Sequence, residues 1–370
     1  MGYGITLMPM QIGSVAVDPP VLSAPMAGFT NLAYREILRL FGGVGLIATE
    51  MVSARSFVYK EARGEDAPSR LWGIRDEARP LSVQIWDNHP ETLAYFAETL
   101  ARNYRPSVID LNFGCPAPAI AKNSSSGSWL LKTPDKVGAI IEQVVHAVSR
   151  LQASDFRLQE EATNPEARSS IPVTAKIRLG WTRDTINAVD VAQAVESAGG
   201  AALTVHGRTA QDMYRGTADW DEIARIKPHL QRIPLIGNGD IKTPEQAVER
   251  LRQYPVDGIM IGRAGLEKPW LFRQIAQRLA ADCAGGTGES MSPDPTLREQ
   301  RDLLLRHFDL VRQQVGTDKA VILMRKYAPC YAKGQRGARL FRTAVCAVKT
   351  EAEFRKVVNE LYPVEDALWD

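Results

Sequence analysis

Eight short apolar runs recur over the first 265 residues of this 370-residue chain, and most are followed by a polar loop and a stretch with helical spacing. The runs cover 21–24, 44–48, 81–85, 107–110, 173–178, 202–205, 233–237 and 258–261. Between them, Asn31 to Phe41, Pro90 to Asn103 and Pro244 to Gln253 carry apolar residues at helical spacing. Eight strands alternating with helices is the pattern of a (β/α)8 barrel, which usually takes about 250 residues. A doubly wound open sheet is the structural alternative. The barrel is preferred because polar residues follow nearly every run, as a ring of loops around one mouth requires.

A helix from Pro269 to Cys283 closes the repeating part, and a Gly-rich stretch follows it. From Thr296 onward strand signals vanish, and four segments with helical spacing predict a small bundle. The expected fold is therefore α/β: a (β/α)8 TIM barrel over 1–283, a linker over 284–295, and a small all-α helical domain over 296–370. Residues 151–170, rich in Glu, Arg, Asn and Ser, read as a surface insertion in the barrel.

Composition narrows the class further. With 45% hydrophobic and 24% charged residues, this is the make-up of an ordinary globular protein. The net charge of +2 gives no global signal for nucleic acid. The four cysteines are scattered with no CxxC pair, which speaks against a metal site or a disulfide framework. No apolar run reaches the roughly 18 residues of a membrane helix, and the first residues lack the pattern of a signal peptide. A reducing cytoplasm is the expected compartment, and a monomer the expected state.

The polar residues at the strand ends carry the candidate chemistry: Gln84, Asn112, Cys115, Lys176, His206, Arg208, Asn238, Asp240 and Arg263. In barrels, ligands bind at the carboxyl ends of strands. Cys115 sits where Gly114 and Pro116 break the fourth strand. It suits a nucleophile or a general acid, and a buried structural cysteine is the plain alternative. Asn112 can hydrogen-bond an amide or a base edge. Lys176 faces the barrel interior by strand alternation, and a buried ammonium needs an anionic or electron-rich partner. Gly239, Gly262 and Arg263 follow strands seven and eight, the corner where such barrels often bind phosphate.

The runs APMAGFTN, VQIWD, LNFGCPAP, AKIRLGW, VHGRTAQDMYRG, IGNGDI and MIGRAGLEKPW resemble, in order and spacing, the tRNA-dihydrouridine synthases, and most of all their bacterial B branch. The resemblance implies an FMN-dependent barrel with a C-terminal helical tRNA-binding domain, reducing uridine in tRNA to 5,6-dihydrouridine. By position, Pro25, Met26, Ala27, Gln84, Lys176, His206, Asn238, Gly239, Asp240, Gly262 and Arg263 would bind FMN. Asn112, Arg178 and Tyr214 would face the uracil. In the implied mechanism NADPH reduces FMN, the flavin gives hydride to C6, and Cys115 protonates C5 of a base drawn out of its stack. No metal and no membrane enter this scheme. The loop from Ala119 to Trp129 departs from the family pattern: it is one residue longer, and Ala121 stands where Asn is common.

The helical tail adds a charge signal of its own. Lys319 to Lys349 holds eight basic residues and no acidic one. Solvated faces commonly mix both signs, so a one-sign stretch suits a phosphate backbone. Arg325, Lys326, Arg336 and Arg339 are the expected tRNA contacts, with Tyr327 and Tyr331 as candidates for stacking on bases. Two other readings stand beside this one. The first is an FMN barrel reductase of a small pyrimidine, of the dihydroorotate or dihydropyrimidine dehydrogenase type. The second is a tRNA-binding protein without turnover.

Overall fold

The computed structural model describes residues 9–155, 171–284 and 291–362. Most of the expected insertion at 151–170 and of the Gly-rich part of the expected linker lies outside them. Eleven strands form among the described residues. A hairpin, β1 (Met10–Ile12) and β2 (Val15–Val17), precedes the barrel strands β3 (Val21–Ser23), β4 (Ile47–Ala48), β5 (Val52–Ser53), β6 (Leu81–Trp86), β7 (Val108–Phe113), β8 (Val173–Arg178), β9 (Leu203–His206), β10 (Leu235–Asn238) and β11 (Gly258–Ile261). The parallel order β3-β11-β10-β9-β8-β7-β6-β4 closes on itself through a parallel bridge from Leu22 to Leu46. This is the expected eight-fold barrel.

Two features were not legible in the sequence. The second strand position is split, because β4 pairs with Leu81 and Ser82 while β5 pairs with Ile85 and Trp86. Between them the chain bulges at Thr49–Met51, and the Thr49 hydroxyl caps the ladder by accepting from the Gln84 amide at 3.2 Å. The N-terminal hairpin packs Met10, Ile12 and Val17 with Leu22, Leu46, Val108, Ala202 and Ile236, filling the barrel interior at the amino ends of the strands. The opposite end stays polar.

The outer helices form where the sequence supplies caps. They are α1 (Leu32–Phe41), α2 (Ala54–Ala62), α3 (Pro90–Asn103), α4 (Pro118–Ala121), α5 (Pro134–Asp155), α6 (Ala188–Ser197), α7 (Trp220–Ala224), α8 (Pro244–Gln253), α9 (Arg263–Glu267) and α10 (Leu271–Cys283). The Asn31 side chain caps α1 by accepting from the Tyr34 amide, and Thr243 does the same for α8.

The bundle comprises α11 (Leu297–Val315), α12 (Thr317–Tyr331), α13 (Ala338–Ala347) and α14 (Glu351–Leu361). Thr296 and Glu299 make a reciprocal capping box at the start of α11. Phe308 stacks on Phe354 at 4.8 Å in its core. The bundle docks on the loop after β3, where the Tyr327 hydroxyl donates to the Phe29 carbonyl at 2.7 Å and the two rings meet edge to face at 5.5 Å. Lys333 pairs with Glu267 of α9. Tyr327 and Tyr331 are both buried, so neither is free to stack on a base. Tyr331 bonds His307 at 3.0 Å inside the bundle, and the His307 ring lies 6.3 Å from that of Tyr34 on α1.

Candidate active site

Strand register assembles the polar mouth. Gln84 lies opposite Asp110, which lies opposite Thr174. One layer nearer the mouth, Asn112 lies opposite Lys176. Higher still, Arg178 lies opposite His206, which lies opposite Asn238. Because side chains alternate across a strand, residues two apart on each strand point into the same interior.

Asp110 anchors the first chain of hydrogen bonds. It accepts from the Thr174 hydroxyl and the Gln84 amide, each at 2.7 Å. Gln84 then accepts from the Asn112 amide nitrogen at 2.8 Å. The Asn112 side-chain oxygen in turn accepts from the Cys115 backbone N–H at 2.9 Å and from the Gly114 N–H at 3.2 Å. Asn112 thus shapes the turn that carries the cysteine. Burial pushes the Asp110 carboxyl up, against the hydrogen bonds from Thr174 and Gln84 and the charge of Lys176. Sequence reading missed Asp110 as a member of the site. A charged residue inside an apolar run, two positions before Asn112 and hence on its face, was the available signal.

Cys115 is held from a second side by the Ser-rich loop. The Ser128 N–H and hydroxyl both donate to the Cys115 carbonyl at 3.0 Å. Gly127 has φ of +55°, and a Cβ there would lie 2.7 Å from the Cys115 carbonyl oxygen, so no other residue fits without moving the cysteine. The far side of this loop is clamped: the Lys132 ammonium lies 3.5 Å from the Trp129 ring centre and 4.1 Å from that of Trp181. The loop whose sequence departs from the family pattern is therefore a packed wall of the site.

Burial pushes the Cys115 thiol up, and this outweighs the Ala117 backbone hydrogen bond and the Arg178 and Lys176 charges, which pull it down. The group is a protonated thiol at neutral pH, which suits a proton donor better than a thiolate nucleophile. Alkylation by iodoacetamide at Cys115 is therefore expected to stay slow through pH 8 and to speed up only above the range of an ordinary thiol. Mass spectrometry of the Cys115 peptide checks this. Rapid labelling at pH 7 would contradict it.

The opposite wall is cationic. Lys176 donates to the Asn238 side-chain oxygen at 3.1 Å. Burial, then the Arg178 charge, lowers its pKa to about 8. Arg178 donates to the carbonyls of Gly114, Thr209 and Met213 at 3.0, 2.8 and 2.7 Å. Burial lowers it to about 10, which leaves it charged. The exposed Tyr214 ring sits between two guanidinium groups, Arg178 at 5.6 Å and Arg263 at 4.8 Å. His206 is pushed well below its ordinary value by burial and by the surrounding cations. Its Nε2 faces Arg208 Nη1 at 3.2 Å, so the ring is neutral and that nitrogen is the acceptor.

Asp240 joins the last two strand ends. Burial would raise its carboxyl, but the hydrogen bonds from Arg208 at 2.7 Å and from the Ala218 N–H at 2.7 Å hold it below the usual range. Arg263 lies 3.4 Å from its other oxygen. Gly239 has φ of +134°, and a Cβ there would lie 2.5 Å from Ala218. Gly262 caps the start of α9, with Arg263 its first residue. Pro25, Met26 and Ala27 form the rim after β3, where the Met26 N–H bonds the Thr30 hydroxyl at 3.0 Å.

A family model described as "Dihydrouridine synthase (Dus)" matches residues 22–367. The chain belongs to the dihydrouridine synthase family. A probable tRNA-dihydrouridine synthase of Rickettsia conorii is 34% identical over 353 residues, 95% of this chain and 96% of its own. The tRNA-dihydrouridine synthase B of Pseudomonas aeruginosa is 37% identical over 336 residues, 90% of each chain. A solved 2-naphthoyl-CoA reductase in complex with 2-naphthoyl-CoA superposes with a TM-score of 0.52 at 13% identity, over 76% of this chain and 52% of that one, a likeness of fold alone.

The mouth thus gathers the expected flavin and uracil residues, whereas the four expected tRNA contacts lie apart on the bundle. Arg325 donates to the Val348 carbonyl at 3.0 and 2.5 Å, tying α12 to the end of α13. Lys326 is half-buried, 5.2 Å from the Phe29 ring centre, at the seam with the barrel. Arg336 and Arg339 are exposed. Among the described residues no helix is long and apolar enough to cross a membrane, and no group of three or more His, Cys, Asp or Glu is placed to hold a metal.

Proposed function

We propose that this member of the family reduces uridine to 5,6-dihydrouridine in tRNA, with FMN as cofactor and NADPH as reductant. The observation that carries the reading is the placing of Cys115 at the end of β7, its main chain held by Asn112 and Ser128 and its thiol pushed up by burial, beside Lys176 and Arg178 of β8.

The residues present fit a flavin mononucleotide. The Lys176 ammonium has an amide oxygen as its hydrogen-bond partner where a carbonyl that gains negative charge would serve better. Gln84, His206 and Asn238 offer donors and acceptors around it. Gly239, Asp240, Gly262 and Arg263 lie where a terminal phosphate binds in this class of barrel. When bound, a flavin would supply the hydride for C6 of the uracil, drawn in turn from NADPH. Cys115 delivers the proton to C5, and its raised pKa keeps that proton in place until it is needed. Asn112 and Arg178 orient the base, and Tyr214 covers it. Extruding a base from its stack costs a few kcal/mol, less for a loop nucleotide.

The same proposal assigns residues 296–370 to tRNA binding, with 1–283 as the catalytic barrel. Arg336, Arg339 and Arg342 are exposed and, unlike Arg325, make no interhelical bond among the described residues. The triple alanine variant is expected to bind tRNA several-fold more weakly, with a log–log salt dependence flatter by roughly 0.7–0.9 per lost phosphate contact. Flavin reduction by NADPH should not change. The proposal itself is tested by incubating the flavin-loaded protein with NADPH and unmodified tRNA and measuring dihydrouridine in the digest. A small-molecule pyrimidine reductase would turn over a free base and leave tRNA unmodified.

A further inference from the structure

Beside the mouth lies a cavity of about 550 Å³ between the start of α2 and residues 66–72. Ser53, Ser56 and Lys60 line one wall at helical spacing, and Ser69, Arg70 and Trp72 line the other. Three hydroxyls, an ammonium and a guanidinium share the lining with one carboxylate, Asp66, while Lys60 also lies 3.5 Å from the Glu65 carboxylate and Arg70 3.8 Å from that of Glu50. Trp72 is 47% exposed, which leaves indole surface open to a ligand. Val52, Ala67 and Pro68 complete the lining, so the wall offers apolar surface beside its charges. An aromatic face next to two cations suits a nucleotide, with the base on the ring and the phosphate on the cations.

Its position names the source of that nucleotide. Arg70 donates to the Met51 carbonyl at 2.8 Å and lies 3.8 Å from the Glu50 carboxylate. Glu50 accepts from the Gly28 N–H, and Lys326 of α12 reaches the same glycine, its ammonium 3.0 Å from where a Cβ would stand. A line of charged groups therefore joins the bundle, the barrel rim and the cavity. An RNA strand held on the bundle with its target base in the mouth would cross this seam.

We infer that the cavity holds one nucleotide of the tRNA strand next to the target uridine, its base stacked on Trp72 and its phosphate between Lys60 and Arg70. The inference rests on tRNA being the substrate. It has no part in flavin binding or proton transfer.

The test compares wild type with Trp72→Ala, Trp72→Phe and Lys60→Ala, all full-length and flavin-loaded. Trp72→Ala is expected to raise both the tRNA Kd and the KM about tenfold, with kcat and flavin reduction by NADPH close to wild type. Trp72→Phe should recover most of the affinity, since the ring face is retained. Lys60→Ala should flatten the salt dependence of tRNA binding by roughly 0.7–0.9, one phosphate contact. An unchanged Kd in Trp72→Ala overturns the inference even where wild type makes dihydrouridine. Weakened NADPH binding with unchanged tRNA binding would assign the cavity to the reductant and overturn it equally. Wild type that binds tRNA through Trp72 but forms no dihydrouridine would refute the proposed reaction and leave the cavity standing.

Discussion

Cys115→Ala is expected to keep its flavin and accept electrons from NADPH at the wild-type rate, yet to form dihydrouridine about 10²–10⁴-fold more slowly. That range is what a positioned general acid contributes. The change removes one buried thiol and leaves the backbone contacts that shape the turn, since Asn112 and Ser128 bond the main chain of Cys115 and not its sulfur. Loss of activity through misfolding is thereby separated from loss of the proton donor. The pH profile carries the same signature. A thiol raised by burial stays protonated through neutral pH, so the transfer step should be flat there and fall only in alkali. Turnover on tRNA by Cys115→Ala at the wild-type rate would remove the assignment.

Lys176→Met should lose most of its flavin during purification, and the flavin-free variant should be more stable than flavin-free wild type. Both effects follow from one charge drawn partly out of water. In the unfolded chain the lysine keeps its ordinary pKa of 10.5, and in the folded protein it falls to about 8. The unfolded state therefore binds more protons between those values, so stability rises with pH from about 8 to about 10.5. Below pH 8 the cost is fully present. Lys176 faces the open mouth, where water screens part of the shift, leaving on the order of 1–2 kcal/mol. Methionine of similar length removes that cost. Thermal melts of both proteins without flavin, with absorbance at the flavin bands for retention, test the two halves together. A variant that keeps its flavin and melts below wild type would contradict the role given to Lys176.

Much of this site could be read before the structure because strand period two and the strand-end rule both act locally. Asn112, Lys176, Arg178, His206 and Asn238 lie at or near the carboxyl ends of apolar runs, and a barrel sends such residues into one mouth. What could not be read depends on contacts across the fold. Asp110 looks like part of an apolar strand until Gln84 and Thr174 meet it from the two neighbouring strands. The break at Thr49–Met51 has no Gly or Pro to mark it, and it sends Glu50 to Gly28, 22 residues away. In the bundle, charge count alone could not separate Arg325, spent on the Val348 carbonyl, from the exposed Arg336 and Arg339. Nor could spacing tell that Tyr327 reaches the Phe29 carbonyl of the barrel while Tyr331 bonds His307 inside the bundle, because both lie on a helix whose partners come from distant residues.

The most direct measurement is a single-turnover one. The flavin-loaded protein is reduced with NADPH under anaerobic conditions, freed of excess reductant, and mixed with unmodified tRNA while flavin absorbance is followed. The account predicts that the flavin reoxidises on addition of tRNA, with one dihydrouridine formed per flavin, and that Cys115→Ala, reduced in the same way, reoxidises at least a hundredfold more slowly. A reduced flavin that ignores tRNA but is reoxidised by a free pyrimidine, or a protein that purifies without any flavin, would contradict it.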